Sequence, residues 1–261
     1  MAPINTTISE GIAVVTLNNP PLNVVTVELT ASLDRILDEF AEDPNVRTLV
    51  LTGAGDRAFC AGSDIKEFSS FVGPSGRVLD GKMIGENATY SKLAAFAKPT
   101  VAALNGSAVG GGLELALCCD LIVAGENVKL SLPEVKLGVF PGAGGTVRVA
   151  RRIGEGRAKE MMFLGDPIDA ATALSWGLVN QTAPRGKALE ASLELAAKLA
   201  DLPTGAIGLC KQAIGLGQDL AEGDAIETTL PLIEKAFEAD EVQEGIRAFF
   251  AKEKPRFRRN S

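Results

Sequence analysis

Two hydrophobic periods alternate along the first half of the chain. Nearly continuous apolar runs at 12–17, 46–52, 100–104 and 121–124 have the length and β-branched content of buried strands. Between the first two, Leu29, Leu33, Ile36, Leu37 and Phe40 recur at helical spacing, with Thr26 placed to cap the segment. Beyond about Thr146 the strand signal fades, and windows rich in Ala, Leu, Glu and Lys at 189–202 and 226–250 predict a helical last third. The glycine-rich, polar stretch 71–85 reads as a mobile loop. Together these patterns predict a mixed α/β core followed by helices.

Composition narrows the chemistry. The 261 residues are 46% hydrophobic and 23% charged, the balance of a folded globular protein. The apolar stretch Leu113 to Ala124 is interrupted by Glu114 and Asp120, too short for a membrane span. The first residues show no targeting pattern, so the expected location is cytoplasmic. Cys60, Cys118, Cys119 and Cys210 lack Cys-x-x-Cys spacing and are expected to be reduced core thiols. The chain contains no histidine, which excludes Ser-His-Asp and Cys-His catalysis and histidine-ligated zinc. Carboxylates and backbone dipoles must carry any chemistry. A net charge of −7 argues against a general nucleic-acid or anionic-membrane binder. The basic residues nevertheless gather near the end, at Arg247, Lys252, Lys254, Arg256, Arg258 and Arg259.

Two nucleotide-loop patterns fail on inspection. Gly76-Arg77-Val78-Leu79-Asp80-Gly81-Lys82-Met83 has Met83 where a magnesium-binding hydroxyl is required. Gly53-Ala54-Gly55-Asp56-Arg57-Ala58 follows a strand, but Phe59-Cys60-Ala61-Gly62 does not continue as a helix. Gly110-Gly111-Gly112 is more informative, because it opens a helix whose first N–H groups have no partner within it. Close packing alone would also explain three small residues there. Glu114, on the same face in an apolar segment, tips the reading toward a working site, since a buried carboxylate without a cationic partner is costly. Pro133 and Glu134 supply a second carboxylate twenty positions on, which read alone is a surface turn residue.

In order, Ala58-Phe59-Cys60-Ala61-Gly62-Ser63-Asp64-Ile65-Lys66, Lys98-Pro99-Thr100-Val101-Ala102-Ala103-Leu104-Asn105-Gly106, Gly110-Gly111-Gly112-Leu113-Glu114-Leu115, Pro133-Glu134 and Pro141-Gly142-Ala143-Gly144-Gly145-Thr146 closely resemble the crotonase superfamily, the enoyl-CoA hydratases and isomerases. The likeness runs from the strand at Ile12 through Ile168-Asp169-Ala170 and Gly177-Leu178-Val179 to Phe249 and Lys252. It implies an α/β fold, a crotonase-like spiral of ββα units over residues 1–200, with a C-terminal α-helical region over 201–261 that makes trimers or dimers of trimers.

The resemblance also implies a coenzyme A thioester as substrate, with no separate cofactor, metal, nucleic acid or membrane. It assigns an oxyanion hole to the N–H groups of Ala61 and Gly111; preorganised donors of this kind stabilise a developing oxyanion by about 3 kcal/mol each when tested by removal. Glu114 would hold and deprotonate the attacking water, Glu134 would protonate the α-carbon, and Gly142 would donate its N–H to the water. Coenzyme A would lie along Leu22, Ala61, Ser63, Asp64, Ile65 and Lys66, with adenine near Ala61 and Ile65. Phe249 and Lys252 would reach it from the C-terminal helices, giving the basic tail a phosphate-binding role.

Two positions depart from the pattern: Leu132 stands where many hydratases have Gln, and Asn19-Pro20-Pro21-Leu22-Asn23 lacks an expected basic residue. Retention of both glutamates favours reversible syn hydration of a trans-2-enoyl-CoA. Isomerisation, dehydration of a specialised hydroxyacyl-CoA, and a non-catalytic CoA- or RNA-binding role are the alternatives. The stretch 68–90, expected to shape the acyl pocket, carries no pattern that specifies chain length.

This reading predicts that protein treated with chelator and dialysed free of small molecules hydrates an enoyl-CoA at the untreated rate. Activity lost on dialysis and restored by zinc or a nicotinamide would refute it.

Overall fold

The computed structural model describes residues 2–73 and 77–258. Gly76 of the failed phosphate-loop match and Arg259 of the basic tail lie outside the described residues. The chain opens with β1 (Ile4–Ser9) and β2 (Ile12–Leu17), followed by α1 (Val27–Glu42). Three turns of a common unit come next. The first is β3 (Thr48–Gly53), β4 (Ala58–Cys60), α2 (Ile65–Ser69) and α3 (Ile84–Ala94); the second is β5 (Thr100–Leu104), β6 (Ser107–Val109) and α4 (Gly111–Ala116). The third is β7 (Leu121–Gly125), β8 (Lys129–Ser131), a 3₁₀ turn at Glu134–Leu137, α5 (Gly145–Ile153) and α6 (Glu155–Leu164).

Each turn gives its first strand to one sheet and its second to another, which makes the chain spiral. The six-stranded sheet has the order β1-β2-β3-β5-β7-β10 and the four-stranded one β4-β6-β8-β9, where β9 is Ile168–Asp169 and β10 is Gln181–Ala183. Strands β2, β3, β5, β7 and β10 pair in parallel; β1 is an antiparallel edge. The remaining helices are α7 (Ala170–Trp176), α8 (Ala188–Ala200), α9 (Thr204–Gly217), α10 (Glu222–Glu238) and α11 (Asp240–Ala251). No helix among the described residues is long and apolar enough to cross a membrane.

The continuous apolar runs follow from burial on both faces of the large sheet. Leu49, Leu51, Ala102 and Leu104 point into the main core with α1, while Val50, Val101, Ala103 and Val123 pack with Ala196 and Ala200 of α8. Helix α1 buries Leu29, Leu33, Leu37 and Phe40, and Thr26 Oγ1 accepts from Leu29 N at 3.1 Å, as its sequence pattern requires.

Several expectations need correction. The 46–52 run becomes a strand only from Thr48, and the 226–250 window breaks at Ala239 into α10 and α11. The 71–85 loop gives way to a π-helical turn at Leu79–Met83 that runs directly into α3. Cys60, Cys118 and Cys119 are buried thiols, but Cys210 is exposed. Gly53 and Gly55 lead into a strand, β4, and not into a dinucleotide-binding helix.

Asp120 ties the helical last third to the core. It accepts from Thr100 N at 2.8 Å and Thr100 Oγ1 at 2.9 Å, and pairs with Lys211 of α9 at 3.0 Å. Asp120→Ala would strand the two Thr100 donors at the start of β5 and the Lys211 ammonium of α9. The expected loss is about 1–3 kcal/mol of stability, read from the urea midpoint at unchanged slope. An unaltered midpoint would show that the junction contributes nothing.

Candidate active site

Helix α4 positions the first carboxylate. Its start lies against β4 so tightly that a Cβ on Gly112 would stand 2.3 Å from the Cys60 carbonyl oxygen, so only glycine fits there. The close-packing reading of the glycine run therefore holds at Gly112. One turn on, Glu114 is buried, and its Oε1 accepts from Ala143 N at 2.8 Å and Gly145 N at 2.7 Å. The sequence shows no cationic partner for this carboxylate, and the structure supplies backbone amides instead. Burial raises the Glu114 pKa to about 7, opposed by the Gly145 and Ala143 N–H groups and reinforced by the nearby charges of Glu134 and Glu86.

The second carboxylate, Glu134, is a turn residue, but a half-buried one. It opens the 3₁₀ turn after β8, its Oε2 is buried without a hydrogen-bond partner, and desolvation lifts its pKa above the usual carboxylate value. Its Oε1 lies 2.9 Å from where a Cβ on Gly110 would stand. Both glutamates face a cavity of about 530 Å³ whose walls include Ser63, Phe68, Met83, Gly111, Phe140 and Gly142.

The structure sorts the remaining predicted residues. Ala61, Ser63, Ile65, Gly111 and Gly142 line the cavity. The Ala61 amide, however, already donates to the Leu22 carbonyl at 3.0 Å and is not free to hold an oxyanion. Ser63, two residues on, is placed differently. It bridges Val25 in parallel, where Val25 N donates to Gly62 O and Asp64 N donates to Val25 O. In that ladder the bridging residue turns its own N–H to the opposite side, toward Gly111. A Cβ on Gly111 would lie 3.8 Å from Ser63 N. The pattern Ala61-Gly62-Ser63 carried this residue, but the parallel bridge that aims its amide is invisible in sequence.

Leu22, Asp64 and Lys66 flank the cavity without lining it; the Asp64 side chain caps α2 by accepting from Lys66 N at 2.8 Å. Gly142 belongs to the turn before α5, which begins at Gly145, and its carbonyl accepts from Asn87 Nδ2 at 2.9 Å. Phe249 and Lys252 are not brought to this cavity within one chain: Phe249 is 79% exposed, and Lys252 ends α11 in a left-handed turn. Of the basic tail, Arg247 pairs with Glu244 and Glu253, while Lys254 and Arg258 pair with Asp201.

Sequence reading missed Glu86 and Asn87 of α3, which also line the cavity. Their signal was the helical spacing of Met83, Glu86, Asn87 and Tyr90, hidden inside a stretch read as loop. A larger groove, about 840 Å³, runs between the Glu10–Gly11 turn, Arg47 and Arg256–Arg258. Its Glu241 and Glu244 are already engaged by the amides of Gly205, Ala206 and Arg256 and by Arg247, so the chemistry centres on the smaller cavity. The described residues contain no cluster of three or more Cys, Asp or Glu arranged to hold a metal ion.

A spiral of ββα turns with two desolvated carboxylates beside a glycine-opened helix defines a crotonase-fold protein. The chain belongs to the enoyl-CoA hydratase/isomerase family, whose description matches residues 7–260. It is 34% identical to a probable enoyl-CoA hydratase of Bacillus subtilis over 99% of both chains. It is likewise 34% identical to a short-chain-enoyl-CoA hydratase of Clostridium acetobutylicum, covering 93% of this chain and 92% of that one. A crystal structure of an enoyl-CoA hydratase from Bacillus anthracis superposes with a TM-score of 0.92 at 34% identity over 98% of each chain. A solved structure of Pseudomonas aeruginosa DspI gives 0.93 at 32% identity, over 99% of this chain and 97% of that one.

The raised Glu114 pKa has a definite sign for stability. The folded state binds the proton more tightly than the unfolded chain, so this contribution is full below about pH 4.5, the unfolded value, and is lost as pH rises through about 7. Glu114→Gln keeps an acceptor oxygen and cannot ionise. It should gain on the parent across that window, by about 3 kcal/mol at most, in urea unfolding at stepped pH. A difference independent of pH would show that Glu114 titrates normally.

Proposed function

We infer that the chain is an enoyl-CoA hydratase, adding water reversibly and syn across a trans-2-enoyl-CoA to give a 3-hydroxyacyl-CoA. The observation that carries this reading is the joint presence of Glu114 and Glu134 in one cavity beside the Gly111 amide. In the proposed mechanism the thioester oxygen sits between the N–H groups of Gly111 and Ser63. Polarisation makes the β-carbon electrophilic, and negative charge develops on that oxygen as water attacks. Glu114, held by Ala143 and Gly145 through Oε1, takes the proton of the water with its other oxygen, while the Gly142 N–H orients it. Glu134 delivers a proton to the α-carbon from the same side, which makes the addition syn. The two carboxylates share one cavity and titrate as a pair, so the site works with a single proton between them. No separate cofactor or metal enters this scheme, because coenzyme A arrives as part of the substrate.

Coenzyme A runs past Ala61 and Ile65 at the mouth in this reading. Self-association completes it. Ile226, Leu230, Ile233 and Phe237 form an exposed apolar stripe on α10, and Phe250 is 79% exposed on α11. A homotrimer, or a dimer of trimers, built through residues 201–261 covers such a surface and offers Phe249 and Lys252 to a neighbouring cavity.

The roles of the two carboxylates separate in one experiment. Protonation at the α-carbon needs Glu134 alone, whereas water addition also needs Glu114. Glu134→Gln should lose hydration and α-proton exchange together. Glu114→Gln should lose hydration by at least ~10²-fold yet still exchange α-protons of a bound saturated acyl-CoA in heavy water, followed by mass spectrometry. Hydration at the parent rate in Glu114→Gln would make Glu114 structural and favour single-glutamate isomerisation.

A further inference from the structure

The cavity holds a third carboxylate that hydration leaves unused. Glu86 is 3% exposed and stands on the face of α3 shared with Met83, Asn87 and Tyr90. Its neighbours bracket the reaction centre. Tyr90 Oη donates to the Gly111 carbonyl at 2.9 Å, and Asn87 Nδ2 donates to the Gly142 carbonyl at 2.9 Å. Glu86 Oε1 itself lies 3.5 Å from where a Cβ on Gly111 would stand.

A bare negative charge here would oppose the charge that develops on the thioester oxygen. Lys82 offsets it in part: its ammonium is buried, 3.3 Å from Glu86 Oε2 and 3.0 Å from Glu67 Oε2, and is shared between the two carboxylates. Glu67 is fixed in turn by accepting from Val27 N at 3.1 Å. The pairing offsets charge without satisfying the carboxylate, since Glu86 Oε2 takes no hydrogen bond in that geometry. A carboxylate offers about four acceptor positions, and a buried one that leaves them empty is costly. An unsubstituted alkyl chain in the cavity would leave them empty.

We propose that Glu86, paired with Lys82, receives a hydroxyl carried by the acyl chain, so that the cavity selects a hydroxyl-bearing enoyl-CoA over its alkyl counterpart of equal length. This rests on the hydratase reading of the same site. The competing account makes Glu67, Lys82 and Glu86 a strut that only holds α2 against α3.

The test compares kcat/KM for trans-2-hexenoyl-CoA with its 4-, 5- and 6-hydroxy forms. The parent protein should prefer at least one hydroxylated probe by about ten- to a hundredfold, the worth of one hydrogen bond to a charged group. The ratio should fall to about one in Glu86→Met and in the double variant Lys82→Met, Glu86→Met, which removes the buried pair together and leaves only the partly exposed Glu67 without its ammonium. Glu86→Gln, which keeps one acceptor oxygen, should keep part of the preference. Hydration without preference overturns the proposal and leaves the hydratase reading intact. Variants that slow all probes alike, with the ratio unchanged, establish the strut instead. Failure of the parent protein to hydrate any of the four overturns the hydratase reading and this proposal together.

Discussion

A carboxylate at Glu114 must be kept out of water and still be held, and the surrounding structure is arranged around that demand. Desolvation alone would cost several kcal/mol, so the group needs donors that bring no compensating positive charge. Ala143 N and Gly145 N meet the need from the turn before α5. That solution fixes the distance between two helix starts and forces glycine at the second: a Cβ on Gly145 would lie 2.8 Å from Glu114 Oε1. It also leaves one oxygen of Glu114 unengaged by these amides, in a cavity whose apolar walls raise its basicity.

The same logic explains why the charges of the cavity do not cancel its purpose. Glu86, Glu114 and Glu134 all have pKa values raised chiefly by burial, and the Glu134 and Glu86 charges add to the shift at Glu114. In one low-dielectric space, the charges of Glu134 and Glu86 disfavour ionisation of Glu114. Lys82, beneath Glu86, supplies the one buried ammonium paired there. Removing it would shift the balance of the whole set, so the π-helical turn that carries it is part of the electrostatics as well as of the wall.

How much of this was legible depended on the range of the interaction concerned. Helix α1 and strands β2, β3, β5 and β7 are written in local periodicity, because burial on one helix face or on both sheet faces marks every residue. Strands β4, β6 and β8 are three residues each, too short to show a period, and they form only because the spiral stacks them. Glu114 stood out because an apolar helix makes any charge conspicuous. Glu86 did not, because α3 mixes Asn, Thr, Ser and Lys with its apolar positions and grows out of a π turn with no cap.

The Ala61 assignment failed for a reason that sequence patterns cannot supply. A motif fixes residue types, whereas an oxyanion hole is defined by which way an amide points and whether it is already bound. Gly62 adopts a φ of 92°, which breaks the strand alternation between its neighbours. On one side of that break the Ala61 N–H turns inward to the Leu22 carbonyl; on the other, the bridge to Val25 commits Gly62 O and Asp64 N and leaves Ser63 N facing Gly111. The hydrogen bond from Ala61 is therefore a structural prerequisite of the site: it secures the strand from which the Ser63 amide is presented. Leu22 then acts through its carbonyl, independent of side chain, which explains how Asn19-Pro20-Pro21-Leu22-Asn23 can depart from the family pattern while the cavity behind it stays intact.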